Sequence, residues 1–134
     1  MIRRHTGQQL RVLLADDSDT IRDRLGAALG ELACVAQVLY ARDVDEAVRV
    51  IGTERPDLVV LDLRMPGGGG LEVMTRVRDT GWRPVIIVLT NYPYAAYRKR
   101  CLELGASHFF DKACEFQKVM DVTRALAVVT AHAM

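Results

Sequence analysis

No stretch of this 134-residue sequence is apolar for long enough to cross a bilayer: runs such as Val85 to Leu89 fall far short of the ~18 residues a membrane-spanning helix needs. A surplus of charge is missing too. The 18 Lys and Arg residues stand against 17 Asp and Glu, for a net charge of +1. That balance removes the main argument for a general nucleic-acid binder, because phosphate contacts need a clustered basic excess. Cysteine is scarce: Cys34, Cys101 and Cys114 are odd in number and widely spaced, which fits neither a disulfide framework nor a C-x-x-C metal or redox site. Reduced thiols in a cytoplasmic protein are expected instead. Met1 to Gln9 carries Arg3, Arg4 and His5 with no apolar segment behind them, so it reads as a flexible polar tail rather than a secretory signal. Internal repeats are absent, and so is any linker to a second domain. Residues 10–134 are expected to form one module.

What is present is an alternation of short continuous apolar runs with longer stretches of helical periodicity. Val12 to Ala15 is the first run. Ile21, Leu25, Ala28, Leu29 and Leu32 then make a helical stripe, with Ser18 or Asp19 placed to cap it. Val35 to Tyr40 reads as a weaker strand, and Asp43-x-x-Glu46 as a capping-box-like start to a second helix that Pro56 ends. Leu58 to Leu63 reads as a strand apolar on both faces except for Asp62, followed by a loop from Met65 to Gly70. A short third helix, the run Val85 to Leu89, a fourth helix over Tyr94 to Leu104 stopped at Gly105, a short strand at His108 to Phe110 and a last helix from Phe116 complete the pattern. Five such strands alternating with five helices predict an α/β fold: a doubly wound five-stranded parallel sheet, covered on both faces.

In such sheets ligands bind outside the carboxyl ends of the strands, where strand order reverses. Asp16 and Asp17 end the first run, Asp62 the third, Thr90 the fourth and Lys112 the fifth. An acidic residue closing a run as apolar as Leu58 to Leu61 is costly unless a site uses it. If the first and third strands are neighbours, three carboxylates converge and repel one another unless a cation neutralises them. Hard oxygen ligands without His or Cys select Mg²⁺. An oxygen-ligated Mg²⁺ beside a free carboxylate suits phosphoryl transfer, with Thr90 as a hydroxyl donor and Lys112 as a compact positive charge. Taken singly, Asp17, Thr90 or Lys112 is more readily a turn, strand or surface residue, and only Asp62 resists that reading; the joint placement at four strand ends is what carries the site.

The segments Leu13-Leu14-Ala15-Asp16-Asp17-Ser18, Val59-Val60-Leu61-Asp62-Leu63-Arg64-Met65-Pro66 with Gly70, Val88-Leu89-Thr90 and Phe109-Phe110-Asp111-Lys112 resemble the receiver domain of two-component response regulators, over about Arg11 to Val129. The resemblance implies the flavodoxin-like (β/α)5 receiver fold. It implies that Asp62 is the phosphoacceptor, taking a phosphoryl group from a sensor histidine kinase or a histidine phosphotransfer protein, and that Asp16, Asp17, Asp62 and the backbone carbonyl of Arg64 hold Mg²⁺. Thr90 and Lys112 would bind the phosphoryl oxygens, and Thr90 with the aromatic Phe109 would form the switch. It further implies a signalling domain rather than an enzyme, one that assists only its own phosphorylation and dephosphorylation.

Three features depart from the family pattern. Ala113 stands where proline usually follows the lysine, Asn91 where a small residue usually follows the threonine, and Gly67 to Gly70 make the loop after Asp62 unusually permissive. Arg64 and Tyr92 flank the pocket as bulky side chains, which implies a shielded phosphoryl group. With no output domain after Met134, a signal is expected to leave through contact with another protein, by relay of the phosphoryl group, or by a phosphorylation-dependent homodimer, with the basic Arg98, Lys99 and Arg100 beside the output face. Two other readings compete. A haloacid dehalogenase-like small phosphatase would use Asp17-Ser18-Asp19-Thr20, but it needs an acidic pair after the lysine, and Glu115 and Asp121 fall in a helix. The second is a receiver-like adaptor that is never phosphorylated.

Overall fold

The computed structural model describes residues 9–132, so the tail expected over Met1 to Gln9 lies, but for its last residue, outside the described residues. Among the described residues, five strands and five helices alternate. They are β1 (Leu10–Ala15), α1 (Asp19–Gly30), β2 (Val35–Ala41), α2 (Val44–Glu54), β3 (Leu58–Leu61), α3 (Gly69–Val77), β4 (Val85–Thr90), α4 (Ala95–Glu103), β5 (His108–Asp111) and α5 (Phe116–His132), with one 3-10 turn, Arg78–Thr80, after α3.

All strand pairs are parallel, in the order β2-β1-β3-β4-β5. The chain steps outward from β1 to β2, then returns across β1 to lay down β3. Strand order therefore reverses between β1 and β3, and a crevice opens at their carboxyl ends. Side-chain alternation along β1 assigns its residues to two cores. Val12 and Leu14 pack with Leu25, Leu29, Val119 and Met120 of α1 and α5. Leu13 and Ala15 pack with Ala47, Ile51, Val73 and Met74 of α2 and α3. A strand buried on both sides has to be apolar at every position, and β3 is: Leu58, Val59, Val60 and Leu61 are all buried.

Local chemistry sets the element ends. The Ser18 hydroxyl accepts from the Ile21 N–H at 3.3 Å and caps α1. Asp43 accepts from the Glu46 N–H at 2.8 Å, while the Glu46 carboxylate reaches back to the Arg42 N–H at 2.8 Å, one residue earlier than in a standard capping box. Gly105 lies at φ +109, the left-handed conformation expected after α4.

Most element ends shift by only one or two residues from the sequence expectation, and the segment around Asp62 differs in two ways. The third strand ends at Leu61 rather than Leu63, because the Asp62 N–H makes its last ladder bond to the Ala15 carbonyl at 2.9 Å and the chain then turns away. The glycine run is not all loop: Gly69 and Gly70 form the first turn of α3. The Gly69 N–H donates to the Met65 carbonyl at 3.1 Å and the Gly70 N–H to the Leu63 carbonyl at 3.0 Å. A Cβ on Gly70 would lie 2.6 Å from the Asp62 carbonyl oxygen, so this turn packs directly on the backbone of Asp62.

Candidate functional site

The register pairs Ala15 of β1 with Leu61 of β3, so the residues that follow, Asp16 and Asp62, emerge side by side. The Asp16 N–H bonds the Ala41 carbonyl at 3.0 Å, extending the ladder one step beyond β1. Asp17 follows on the solvent side. Ligand oxygens of Asp16, Asp17 and Asp62 lie within 4.8 Å of one another, with Asp16 and Asp62 buried and Asp17 exposed. Lys112, just past β5, sends its ammonium across the sheet to Asp16 Oδ2 at 2.8 Å and to Asp62 Oδ2 at 3.3 Å. Its side chain is only 7% exposed, so the charge is committed to this site.

One ammonium against three carboxylates leaves the cleft short of positive charge. The Asp62 carboxyl responds by being pushed up from 3.8 to about 6, through burial first and the charge of Asp16 second; Lys112 and the Arg64 N–H oppose the rise. That N–H donates to Asp62 Oδ1 at 3.2 Å. Burial pulls the Lys112 ammonium down, but its bond to Asp16 and the charges of Asp62 and Asp16 outweigh burial and hold it above its ordinary value. The Asp16 carboxylate also accepts from the Ser18 N–H at 2.8 Å, and the Asp16 carbonyl accepts from Arg22 Nη1 at 2.6 Å. Arg22 also pairs with Asp19, and its side chain is 11% exposed.

These groups open into a cleft of about 440 Å³, whose rim includes Arg64, Asn91 and Tyr92. The Arg64 guanidinium stacks 4.8 Å over the Tyr92 ring, so the two bulky flanking residues form a single rim on one side of the acids. The donor set fits a hard divalent cation: carboxylate oxygens only, partly solvated through Asp17, with one ammonium among three carboxylates.

Not every expected residue lines the cleft. Thr90 ends β4 fully buried, and its hydroxyl accepts from the Tyr92 N–H at 3.0 Å. Phe109 is already inward, 5% exposed in the core that faces α2, α3 and α4. Arg98 of α4 covers it, with Nη1 donating to the Phe109 carbonyl at 3.3 Å and the guanidinium 6.0 Å from the ring. Sequence reasoning missed Arg22, which reads as a solvated residue of α1, and the bonding of the loop after Lys112. An acidic residue directly before the lysine and another four residues on were the signal for that loop.

A family model described as the response regulator receiver domain matches residues 12–124. The chain belongs to the response regulator receiver domain family. Among curated relatives, the response regulator MprA of Mycolicibacterium vanbaalenii is 34% identical over 117 residues, covering 87% of this chain and 50% of that protein. MprA of Mycobacterium ulcerans is 33% identical over the same length. The chain thus spans about half the length of these relatives. Among solved structures, a LuxR-family two-component response regulator from Aurantimonas sp. superposes with a TM-score of 0.81 at 28% identity, covering 90% of this chain and 86% of that one. The signal receiver domain of the response regulator NarL from Mycobacterium tuberculosis gives 0.76 at 28% identity, covering 87% and 97%. This receiver domain therefore has the flavodoxin-like fold expected of it, and it is a signalling domain of two-component systems. No helix among the described residues is long and apolar enough to cross a membrane.

Proposed function

We propose that this receiver domain accepts a phosphoryl group on Asp62 from a sensor histidine kinase or a histidine phosphotransfer protein, in a Mg²⁺-dependent step, and signals through altered protein contacts. The observation that carries this reading is the trio of carboxylates at the sheet's switch point with a single buried ammonium between two of them. An Asp62 oxygen attacks the phosphorus of a phosphohistidine. The P–N bond breaks, the imidazole leaves with the bonding pair and takes a proton from solvent, and an acyl phosphate remains on Asp62.

Asp16, Asp17 and the Arg64 carbonyl would hold Mg²⁺, which when bound offsets charge on the phosphoryl oxygens. Lys112 supplies the fixed positive charge on the other side. It exchanges its bond to Asp62 for one to a phosphoryl oxygen without leaving Asp16, whose carboxylate keeps it aimed. The Arg64 N–H orients the Asp62 carboxylate, and the Arg64–Tyr92 stack narrows the approach of water and donor. Thr90 starts with its hydroxyl bound to the Tyr92 N–H. Turning it toward a phosphoryl oxygen breaks that bond and frees the segment leading into α4. That helix is loosely seated, with Cys101 its one buried residue, so a small change at Thr90 can shift it.

In this reading residues 10–134 act as one receiver module in the cytoplasm, with a downstream protein as target or a phosphorylation-dependent homodimer as output. Incubation with phosphoramidate and Mg²⁺, followed by intact-protein mass spectrometry, tests it. One phosphoryl group is expected on the parent and none on Asp62→Asn. Uptake by the variant moves the acceptor elsewhere; no uptake by the parent favours a receiver-like adaptor that is never phosphorylated.

A further inference from the structure

The loop that carries Lys112 has alanine where its family has proline, yet it is bonded at every turn. The Asp111 carboxylate accepts from the Ala113 N–H at 2.9 Å, two residues on, in an Asx turn. The Glu115 carboxylate reaches back to the Asp111 N–H at 2.8 Å. The Asp111 carbonyl in turn accepts from the Glu115 N–H at 2.8 Å and the Cys114 N–H at 3.3 Å. Lys118 holds the other Glu115 oxygen at 2.7 Å. Glu115 is kept below the usual carboxylate range by that Lys118 bond first and the Asp111 N–H second, so it remains an ionised acceptor at neutral pH. On the sheet side, the Lys112 N–H donates to the Thr90 carbonyl at 2.8 Å.

Lys112 sends its side chain out of this turn to Asp16 and Asp62, while its backbone is anchored to Thr90 on one side and followed by the closed Asp111–Glu115 turn on the other. A lysine stem has four rotatable bonds, and its ammonium reaches a fixed point between Asp16 and Asp62 only if the backbone it starts from is fixed. Asp111 and Glu115 touch none of the cleft acids, and neither lines the cleft. A proline would restrain such a loop through its ring. Here side-chain hydrogen bonds do it instead.

We propose that Asp111 and Glu115 are positioning residues for Lys112: their carboxylates close the turn that aims its ammonium into the acid cleft. The proposal rests on Lys112 pairing with phosphoryl oxygens on Asp62. What matters is the acceptor atom rather than the charge, which separates this role from a general electrostatic effect. It also differs from simple capping of α5, which would alter stability without altering how the cleft handles a phosphoryl group.

The test compares Asp111→Ala and Glu115→Ala with Asp111→Asn and Glu115→Gln in the full chain. The readouts are the rate of phosphoryl uptake from phosphoramidate at saturating Mg²⁺, the affinity for beryllofluoride by fluorine NMR, and the thermal midpoint. Both alanine variants should lose roughly tenfold or more in rate and in beryllofluoride affinity, while the amide variants stay within about twofold of the parent. Their Mg²⁺ affinity should not weaken, because Asp16 and Asp17 are untouched. Alanine variants that melt earlier but match the parent in uptake overturn the positioning role and leave only capping. Amide variants that fall as far as the alanines overturn it in favour of charge. A parent that takes up neither phosphoryl group nor beryllofluoride overturns the reading of Asp62, and the positioning role falls with it.

Discussion

Replacing Asp62 with asparagine should stabilise this protein at neutral pH, although it removes a partner of Lys112. In the folded chain the Asp62 carboxyl rises from 3.8 to about 6, through burial and the neighbouring Asp16. Ionising it in the fold therefore costs about 3 kcal/mol more than in the unfolded chain. The folded state holds this proton more tightly, so stability is lost as pH rises through the interval from 3.8 to about 6. Below that interval the penalty is absent; above it the penalty is complete. Asparagine keeps the shape and never ionises, and Lys112 retains Asp16 at 2.8 Å. Urea unfolding without Mg²⁺ should show Asp62→Asn more stable by up to about 3 kcal/mol at pH 7.5, shrinking to about 1 kcal/mol at pH 4.5. Mg²⁺ works in the parent's favour: at about 100 times its dissociation constant it adds about 2.7 kcal/mol to a chain that binds it only when folded, and it should add less to the variant. A variant no more stable than the parent at pH 7.5, or a gain that survives acidification unchanged, would refute the claim that uncompensated charge is stored at Asp62.

Mg²⁺ titration should move amide resonances at Asp16, Asp17, Asp62 and Arg64 but leave tryptophan fluorescence nearly flat, because Trp82 precedes β4 at the other end of the sheet, where its indole N–H binds the Pro56 carbonyl at 2.6 Å; a large fluorescence change would contradict that separation. Thr90→Ala should still take up a phosphoryl group, yet lose most of the beryllofluoride-induced amide shifts over residues 94–112, since the sensing hydroxyl is gone and the acceptor remains; full-sized shifts there would remove Thr90 from the switch. Gly70→Ala should cost about 1–3 kcal/mol or more in thermal unfolding, because the new Cβ would sit 2.6 Å from the Asp62 carbonyl oxygen, and it should slow phosphoryl uptake by displacing Asp62. An alanine variant with parental stability and rate would show that the turn yields freely.

Chain chemistry alone was enough to locate the acids. Asp62 stood out because it closes β3, a run apolar on both faces, where a charge is costly unless a site uses it. The order of strands and helices followed from apolar periodicity, since a sheet covered on both sides demands runs that an amphipathic helix does not. The cap at Asp43 and the stop at Gly105 were legible because their bonds reach only three residues along the chain, whereas the choice of Ser18 over Asp19 as the cap of α1 was made by the structure. Contacts between distant segments were not legible. That Lys112 spends its ammonium on Asp16 as well as Asp62 depends on how far β5 lies from β1 across the sheet, a distance that no spacing encodes. Thr90 turned away from the cleft and Phe109 already inward are outcomes of packing, decided by the Tyr92 N–H and by Arg98 on a helix the sequence places but does not orient. The loop after Lys112 lacks the usual proline; its acidic pair, Asp111 and Glu115, stands four residues apart in plain view of the chain, but which N–H each carboxylate accepts from was decided by how the turn closes ahead of α5. Periodicity and local bonding are properties of the chain, whereas the position of a charge in a crevice is a property of the fold.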